Sequence, residues 1–522
     1  MIVRVASLAA CAALLALPAA AQTLTAAMAA PITSVDPHFY NAAPNNALAI
    51  HIFDRLIERS ATAQLLPGLA SAWTPHGETM WEFKLRPGVT WHDGSPFTAD
   101  DVAFTIARVP NVPNSPGGYG GMVRSITGVD VVDATTLRFR TASAAPNLPT
   151  DIAGIAVISR KHGSGASTED YNAGRAAIGT GPYRLARYVN GDRTELVRND
   201  SYWGTRPAWA QVTFRFIPNP GSRVAALLAG DMDIIDVPPA ADLPRLRADP
   251  KLSVVAIQGL RAVYLSLSED RATPEPFVTD NAGRPLAKNP FADVRVRRAL
   301  SLAINRAGIA DRVMLGAAEP TGQWLPPGTY SYAPDVKVPP YAPEQARKLL
   351  AEAGFPQGFK LTLHTPNDRY PNDSQTAQAV AQMWSRIGVQ TAVEAMPWNS
   401  FVSRRAKQEF SAALGGWGSN TAEAGYMLIN VLGTYDPKSG RGASNASRNS
   451  LPALDALTDR ALATFDPRQR EKLLIAAVEL ATSEVALIPL HQLTNFWASK
   501  KSVVYEPRMD ERTLAMSARP AP

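Results

Sequence analysis

Between Phe359 and Val393 the spacing of apolar residues changes twice, and no other segment constrains the fold as tightly. Phe359, Leu361 and Leu363 alternate as in a strand. Ala377, Val380, Ala381, Trp384 and Ile387 then recur at helical spacing up to Gly388, and residues 389–393 return to a strand pattern. Strand, helix and strand in this order form a right-handed parallel βαβ unit. An α/β chain is therefore expected. Asp293 and Pro343 open two further helices, with Val296, Ala299, Leu300, Ala303 and Ile304 on one face of the first and Ala346, Leu349, Leu350 and Ala353 on the second. Asp466 and Pro467 open the last long helix.

The first half of the chain is richer in strands. Trp81, Phe83 and Leu85 alternate, Pro87-Gly88 reads as a turn, and Val89 and Trp91 continue the alternation, which predicts a hairpin. Asp93-Gly94 makes a second turn, and Thr98 caps a helix with Asp100 and Asp101 in its first turn. Residues 48–57 read as a helix. Residues 163–181, rich in Gly, Ser and Ala, read as a crossover. Strands are expected at 183–187 and 194–198, joined through Asn190-Gly191, and at 212–217. A chain of 522 residues should form two or three domains.

The N-terminus narrows the compartment. Arg4, an apolar run over residues 5–17 and Ala19-Ala20-Ala21 form a secretory leader, with cleavage expected after Ala21. The run is too short to span a bilayer. A lipoprotein site at Leu8-Ala9-Ala10-Cys11 is the less favoured alternative. Cys11 is the only cysteine, so the mature chain is expected to lack disulfides, thiolate nucleophiles and cysteine metal ligands. The net charge of +6 is spread over scattered arginines, which gives no nucleic-acid stripe.

Catalytic patterns are missing. There is no Gly-x-Ser-x-Gly elbow, and the seven histidines show no zinc spacing. No catalytic residue, metal or cofactor is expected. Gly179-Thr180-Gly181-Pro182 lacks the Lys-Ser/Thr ending of a phosphate loop and reads as a chain crossing. His92 beside Asp93 reads as part of a turn.

Several longer segments then carry a resemblance: "WEFKLRPGVTWHDGSPFTADDVAFT" from Trp81, "GTGPYRL" from Gly179, "RNDSYWG" from Arg198, "DVRVRRALSLAINR" from Asp293 and "ARKLLAEAGF" from Ala346. Together, and in this order, the chain resembles the peptide, nickel and opine family of bacterial extracellular solute-binding proteins, family 5. The resemblance implies a bilobed α/β periplasmic-binding-protein fold with an extra inserted domain and a ligand cleft between lobes. It implies a leader at 1–21, a first lobe from 22–50, 180–268 and 486–522, an insert at 51–179 and a second lobe at 269–485. It also implies a monomeric periplasmic receptor. Such a receptor hands a peptide-like or other small polar solute to an inner-membrane ABC permease with ATPase subunits. A ligand sensor or chaperone using the same cleft is the alternative.

The resemblance also nominates site residues. Where peptide binders carry a Trp followed three positions later by an amine-binding Asp, this chain has Trp417 and Asn420. Where dipeptide binders hold the ligand carboxylate with an Arg, Asp368-Arg369-Tyr370-Pro371-Asn372-Asp373 offers Arg369, whose alternative is a loop arginine paired with Asp368 or Asp373. Tyr426, Asn45 and Trp398 are further ligand-binding candidates. Asn420 in place of the acid favours an anionic or polar ligand over a peptide with a free amino terminus, with Glu423 as an acid that could restore the charge.

Overall fold

The computed structural model describes residues 23–269, 275–419 and 421–522; the expected leader with its cleavage site and Cys11, and Asn420, lie outside the described residues. The first strand, β1 (Thr23–Met28), runs parallel to two much later strands, Gln211–Phe216 on one side and Ile234–Asp236 on the other. Its Leu24, Ala26 and Ala27 are buried, as a central strand covered on both faces requires.

Helix α1 (Ala43–Ile52) follows. The helix expected over 48–57 is displaced toward the N-terminus: Pro44 starts it, and Phe53 ends it by turning to extended backbone. Phe53 stays in the core of α1, and Leu56 and Ile57 enter a second core instead.

That core belongs to a separate four-stranded antiparallel sheet, built from β2 (Ala70–Pro75), β3 (Met80–Leu85), β4 (Ile126–Asp133) and β5 (Thr136–Thr141) in the order β2-β3-β5-β4. Here the hairpin expectation fails. β3 pairs with β2 and β5, so residues 89–91 find no open edge beside it. Val89 and Trp91 are buried as loop residues, and the Trp91 indole donates to Asp101 at 3.4 Å. Alternation over three residues reports burial on one side, which a loop can satisfy as well as a strand. The next element, α2 (Ala99–Arg108), begins as expected, with the Thr98 amide donating to the Asp101 carboxylate at 3.0 Å. A short helix, α3 (Leu148–Ile152), completes this part.

The chain re-crosses at Gly179–Gly181. The Gly181 amide donates to the Ile52 carbonyl at 3.0 Å, and a Cβ on Gly179 would meet that carbonyl oxygen at 1.7 Å. Only glycine permits this approach. His92 sits in the expected turn, closed by the Gly94 amide on the Trp91 carbonyl at 2.8 Å, and is also a buried anchor of the crossing: its Nε2 donates to the Gly181 carbonyl at 3.0 Å and its Nδ1 accepts from the Gly179 amide at 3.2 Å. Asp54 accepts from Thr180, Tyr202 and Trp203 at 2.7–3.1 Å, which pins the same junction.

After the crossing, β6 (Tyr183–Val189), β7 (Arg193–Arg198), β8 (Gln211–Phe216) and β9 (Ile234–Asp236) join β1 in one sheet. Strand β10 (Leu252–Leu267) then extends for 16 residues. Beyond it come β11 (Phe359–Pro366), α4 (Asp373–Arg386) and β12 (Val389–Met396), the expected βαβ unit, in parallel register from Phe359↔Val389 to Pro366↔Met396. Helix α5 (Trp398–Ala406), β13 (Ala412–Gly418) and the 13-residue β14 (Ile488–Lys500) follow.

β10 and β14 pair antiparallel along most of their length; β9 flanks β14 and β13 flanks β10. One apolar core gathers around β1, β8 and α1, and another around β11, β12 and α4. The small sheet has a third core of its own. The fold is bilobed, with an extra layer attached to the first lobe.

His51 ties α1 to the C-terminal segment: its Nδ1 donates to the Ala47 carbonyl at 2.6 Å and its Nε2 accepts from the Ala515 amide at 2.9 Å. Both bonds need the neutral ring, and burial pushes its pKa down to about 4. A histidine held neutral in the fold but free to protonate when unfolded contributes stability that is complete above about pH 6.5 and declines as pH falls toward 4. His51→Leu should therefore destabilise at pH 7, and its deficit should be about 2 kcal/mol smaller at pH 5. Urea unfolding of both proteins at the two pH values checks this; an equal deficit refutes it.

Candidate ligand-binding site

The C-terminal half of β13 is the floor of the candidate site. β11 pairs with β13 only at Ala412 and Ala413, so among the described residues Leu414–Gly418 has a strand neighbour on the β10 side alone. Tyr370 covers part of the open side, its hydroxyl donating to the Gly416 carbonyl at 3.2 Å. A Cβ on Gly416 would lie 2.8 Å from the Tyr370 ring, so the glycine is what lets the ring seat there.

The loop before α4 sets Arg369. Asp373 accepts from the backbone amides of Arg369 and Tyr370, each at 3.1 Å, and Asp368 accepts from the Trp398 amide at 2.8 Å. Both neighbouring acids are therefore used on backbone, and neither pairs with the Arg369 guanidinium. That group lies 5.3 Å from the Tyr370 ring centre and 5.5 Å from that of Trp398, within cation–π range. It makes no hydrogen bond or ion pair to any described residue, and its residue is exposed. Surrounding protein mass and the positive charge of Arg261 lower its pKa from the usual arginine value.

Two arginines that local sequence did not single out stand near it. Arg261, on β10, is satisfied by Glu511 at 2.9 Å. Arg405, on α5, touches only the Tyr264 hydroxyl at 3.3 Å and the Ser444 carbonyl at 3.5 Å. Arg369 and Arg261 thus share the neighbourhood of one carboxylate, that of Glu511. No sequence signal marks Arg261 or Arg405, because their proximity to Arg369 is created by strand and helix packing.

On the other face of β13, Trp417 packs against Tyr426 with ring centres 5.2 Å apart. The Trp417 indole nitrogen is buried without a hydrogen-bond partner. The structure brings Arg369 and Trp398 together, and Trp417 with Tyr426, on either side of one strand. It does not bring Asn45 to them: that side chain is buried in the first lobe and bonded to Thr33 and Ser34 at 3.1–3.4 Å. Among the described residues no group of three or more His, Asp or Glu is placed to hold a metal ion, and no helix is long and apolar enough to cross a membrane.

Residues 64–439 match the family model described as bacterial extracellular solute-binding proteins, family 5 Middle. The chain belongs to this family. As a family 5 solute-binding protein it is 28% identical over 494 residues to the dipeptide-binding protein of Escherichia coli, a match covering 89% of this chain and 88% of that one. It is 27% identical over 481 residues to heme-binding protein A of Haemophilus influenzae, covering 86% and 83%. Among solved structures, HbpA2 from Haemophilus parasuis superposes with a TM-score of 0.81 at 25% identity, over 96% of this chain and 100% of that one. The relatives are binding proteins and not enzymes.

In this family 5 protein Glu423 is not a free acid. It is buried and ion-paired with the equally buried Arg470, and it also accepts from Asn147 at 3.1 Å. Removing one member of such a pair strands the other's charge in a desolvated site, at about 3–5 kcal/mol. Glu423→Ala should lower unfolding free energy by that amount in urea titrations. A loss under 1 kcal/mol would show that Glu423 does not neutralise Arg470.

Proposed function

We propose that this protein is the periplasmic receptor of an ABC importer. In this reading its two lobes close on a small, carboxylate-bearing, peptide-like solute and present it to a membrane permease with ATPase subunits. The N-terminal segment exports the chain, and a single copy binds. Residues 22–50, 180–268 and 486–522 form the first lobe, 51–179 the insert and 269–485 the second lobe. Family membership and binding-protein relatives along most of the chain support the receptor role.

One observation carries the ligand chemistry. Arg369 presents a permanently charged, planar fork with no acid to neutralise it, between Tyr370 and Trp398 and beside a paired Arg261. An unneutralised guanidinium held between aromatic rings is best satisfied by a carboxylate from the solute, whose oxygens accept from two parallel N–H groups. The two rings flank that bond. The open edge of Leu414–Gly418 offers backbone donors and acceptors to an extended solute lying along it.

Native mass spectrometry of protein purified without denaturation should reveal a carried solute bearing a carboxylate. Calorimetric titration with that solute should show Arg369→Ala weakening binding about tenfold or more, and Arg369→Lys by less, since a charge-assisted bond contributes about 1.5–3 kcal/mol. At about 100 times its dissociation constant the solute should add roughly 2.7 kcal/mol of stability. Equal affinities of wild type and Arg369→Ala would refute the role of Arg369.

A further inference from the structure

The inserted sheet and the second lobe meet at a polar junction that the reading above does not use. Arg59 bridges them, donating to the Thr150 carbonyl at 3.0 Å on one side and to the Thr421 carbonyl at 3.3 Å on the other. Asn147, at the start of α3, reaches Glu423 at 3.1 Å. One turn further along α3 stands Asp151. It is half-buried, and its carboxylate makes no hydrogen bond or ion pair to any described residue.

The groups facing Asp151 are Glu423, Arg470, Arg59 and Tyr426. Neither arginine is free for it. Arg470 is closed on Glu423, and Arg59 is spent on three backbone carbonyls. Tyr426 links the junction to Trp417 on β13.

The surroundings contain polar atoms that the protein itself leaves unanswered. Asn147 Oδ1, Thr421 Oγ1, Trp417 Nε1 and the Nε of Arg470 are all buried without a partner. Arg470 is itself only 9% exposed. Buried polar groups are almost always paired, and each orphan costs about 1–3 kcal/mol. Several orphans around one uncompensated carboxylate mark a place where another molecule completes the bonding.

We propose that Asp151 is the counter-ion for an ammonium group of the bound solute, so that the inserted domain selects amine-bearing ligands. This rests on the reading of the cleft as a receptor whose Arg369 takes the solute's carboxylate. The solute class is then zwitterionic: a carboxylate for Arg369 and an amine for Asp151. Asp151 supplies a negative charge from a part of the chain far from Asn420, and Glu423, held by Arg470, cannot.

Burial and the negative charge of Glu423 push the Asp151 pKa up to about 7. Only the ionised form attracts an ammonium group, so capture of amines should strengthen as pH rises from 5 to 7.5.

The test uses the full mature chain, stripped of carried solute and incubated with an equimolar library. The library holds di- and tripeptides, the same peptides N-acetylated, and dicarboxylic acids. Retained members are read by native mass spectrometry and their affinities by calorimetry. The wild type should retain free-amine peptides over their acetylated counterparts by about tenfold or more, and more strongly at pH 7.5 than at pH 5. Asp151→Asn should lose that preference, Asp151→Glu should keep part of it, and Asp151→Asn should melt no lower than the wild type. Equal retention of acetylated peptides by the wild type overturns the proposal, as does an Asp151→Asn preference within threefold of the wild type. Retention of no library member overturns it together with the receptor reading for peptide-like solutes. Binding that responds to Arg369→Ala and not to Asp151→Asn overturns the role of Asp151 alone.

Discussion

The antiparallel pairing of β10 with β14 is the constraint on which the rest of this structure depends. Each strand is long enough to serve both lobes. Their register runs from Leu252↔Lys500 beside the first core to Leu265↔Ile488 beside the second. Two irregularities interrupt it, between Gln258 and Ala262 and between Val263 and Tyr264. Bulges bend a sheet and increase its local twist, and here they fall where the sheet passes from one core to the other. Arg261 lies inside the first irregularity on the β14 side while still pairing with Gly418 on β13, and its side chain reaches Glu511 in the C-terminal segment. The backbone feature that joins the lobes thus also delivers a charge to the space between them.

Electrostatics at that space follows from which charges the fold neutralises. Asp36 shows the usual arrangement: burial alone would raise its pKa, but Arg108 grips it with two bonds at 2.6 and 2.9 Å and holds it below the ordinary value. Arg508 and Asp510 are matched in the same way at 2.8 Å. Arg369, which is exposed, and Asp151, which is half-buried, have no such partner among the described residues. A protein interior rarely leaves ionic groups unmatched unless they are paired by something outside the chain. The unmatched groups mark the proposed site more sharply than the aromatic residues around it, which are also common in ordinary cores.

The α/β class and the βαβ unit were legible because Phe359, Leu361, Leu363 and the face of α4 carry two clean periods in succession. The glycine crossing at 179–181 was legible from the missing Lys-Ser/Thr ending. The hairpin after β3 was misread because Val89 and Trp91 bond to Phe97 and Ser95 instead of to β3, a distinction that period alone does not carry. The helix near residue 48 was misplaced because the apolar residues on both sides of Ile52 look alike, although they serve different cores. Arg369, Trp398, Trp417 and Tyr426 were nominated by the family resemblance, and the structure pairs Arg369 with Trp398 and Trp417 with Tyr426. Arg261, Arg405 and Asp151 were not nominated, because each becomes relevant through contacts spanning more than a hundred residues of chain.

The inserted sheet is more than an appendage, and the reason is physical. Its contact with the second lobe combines apolar packing, with Phe465 5.9 Å from Trp81 between ring centres, and a polar part in which Arg59 and Asn147 supply the bonds and Glu423 with Arg470 forms the buried pair behind them. Burial lowers the Arg59 pKa to about 10, yet its hydrogen bonds all go to backbone carbonyls, which accept a cation's protons without cancelling its charge. A junction of this kind costs desolvation and gains directional bonds in return, so it is specific in geometry and modest in strength. An apolar interface of the same extent would lock the two parts together. A polar one allows them to separate and re-form the same contacts. For a protein that admits a solute between its lobes, that is the balance an inserted domain needs if it is to contribute to the closed state without preventing the open one.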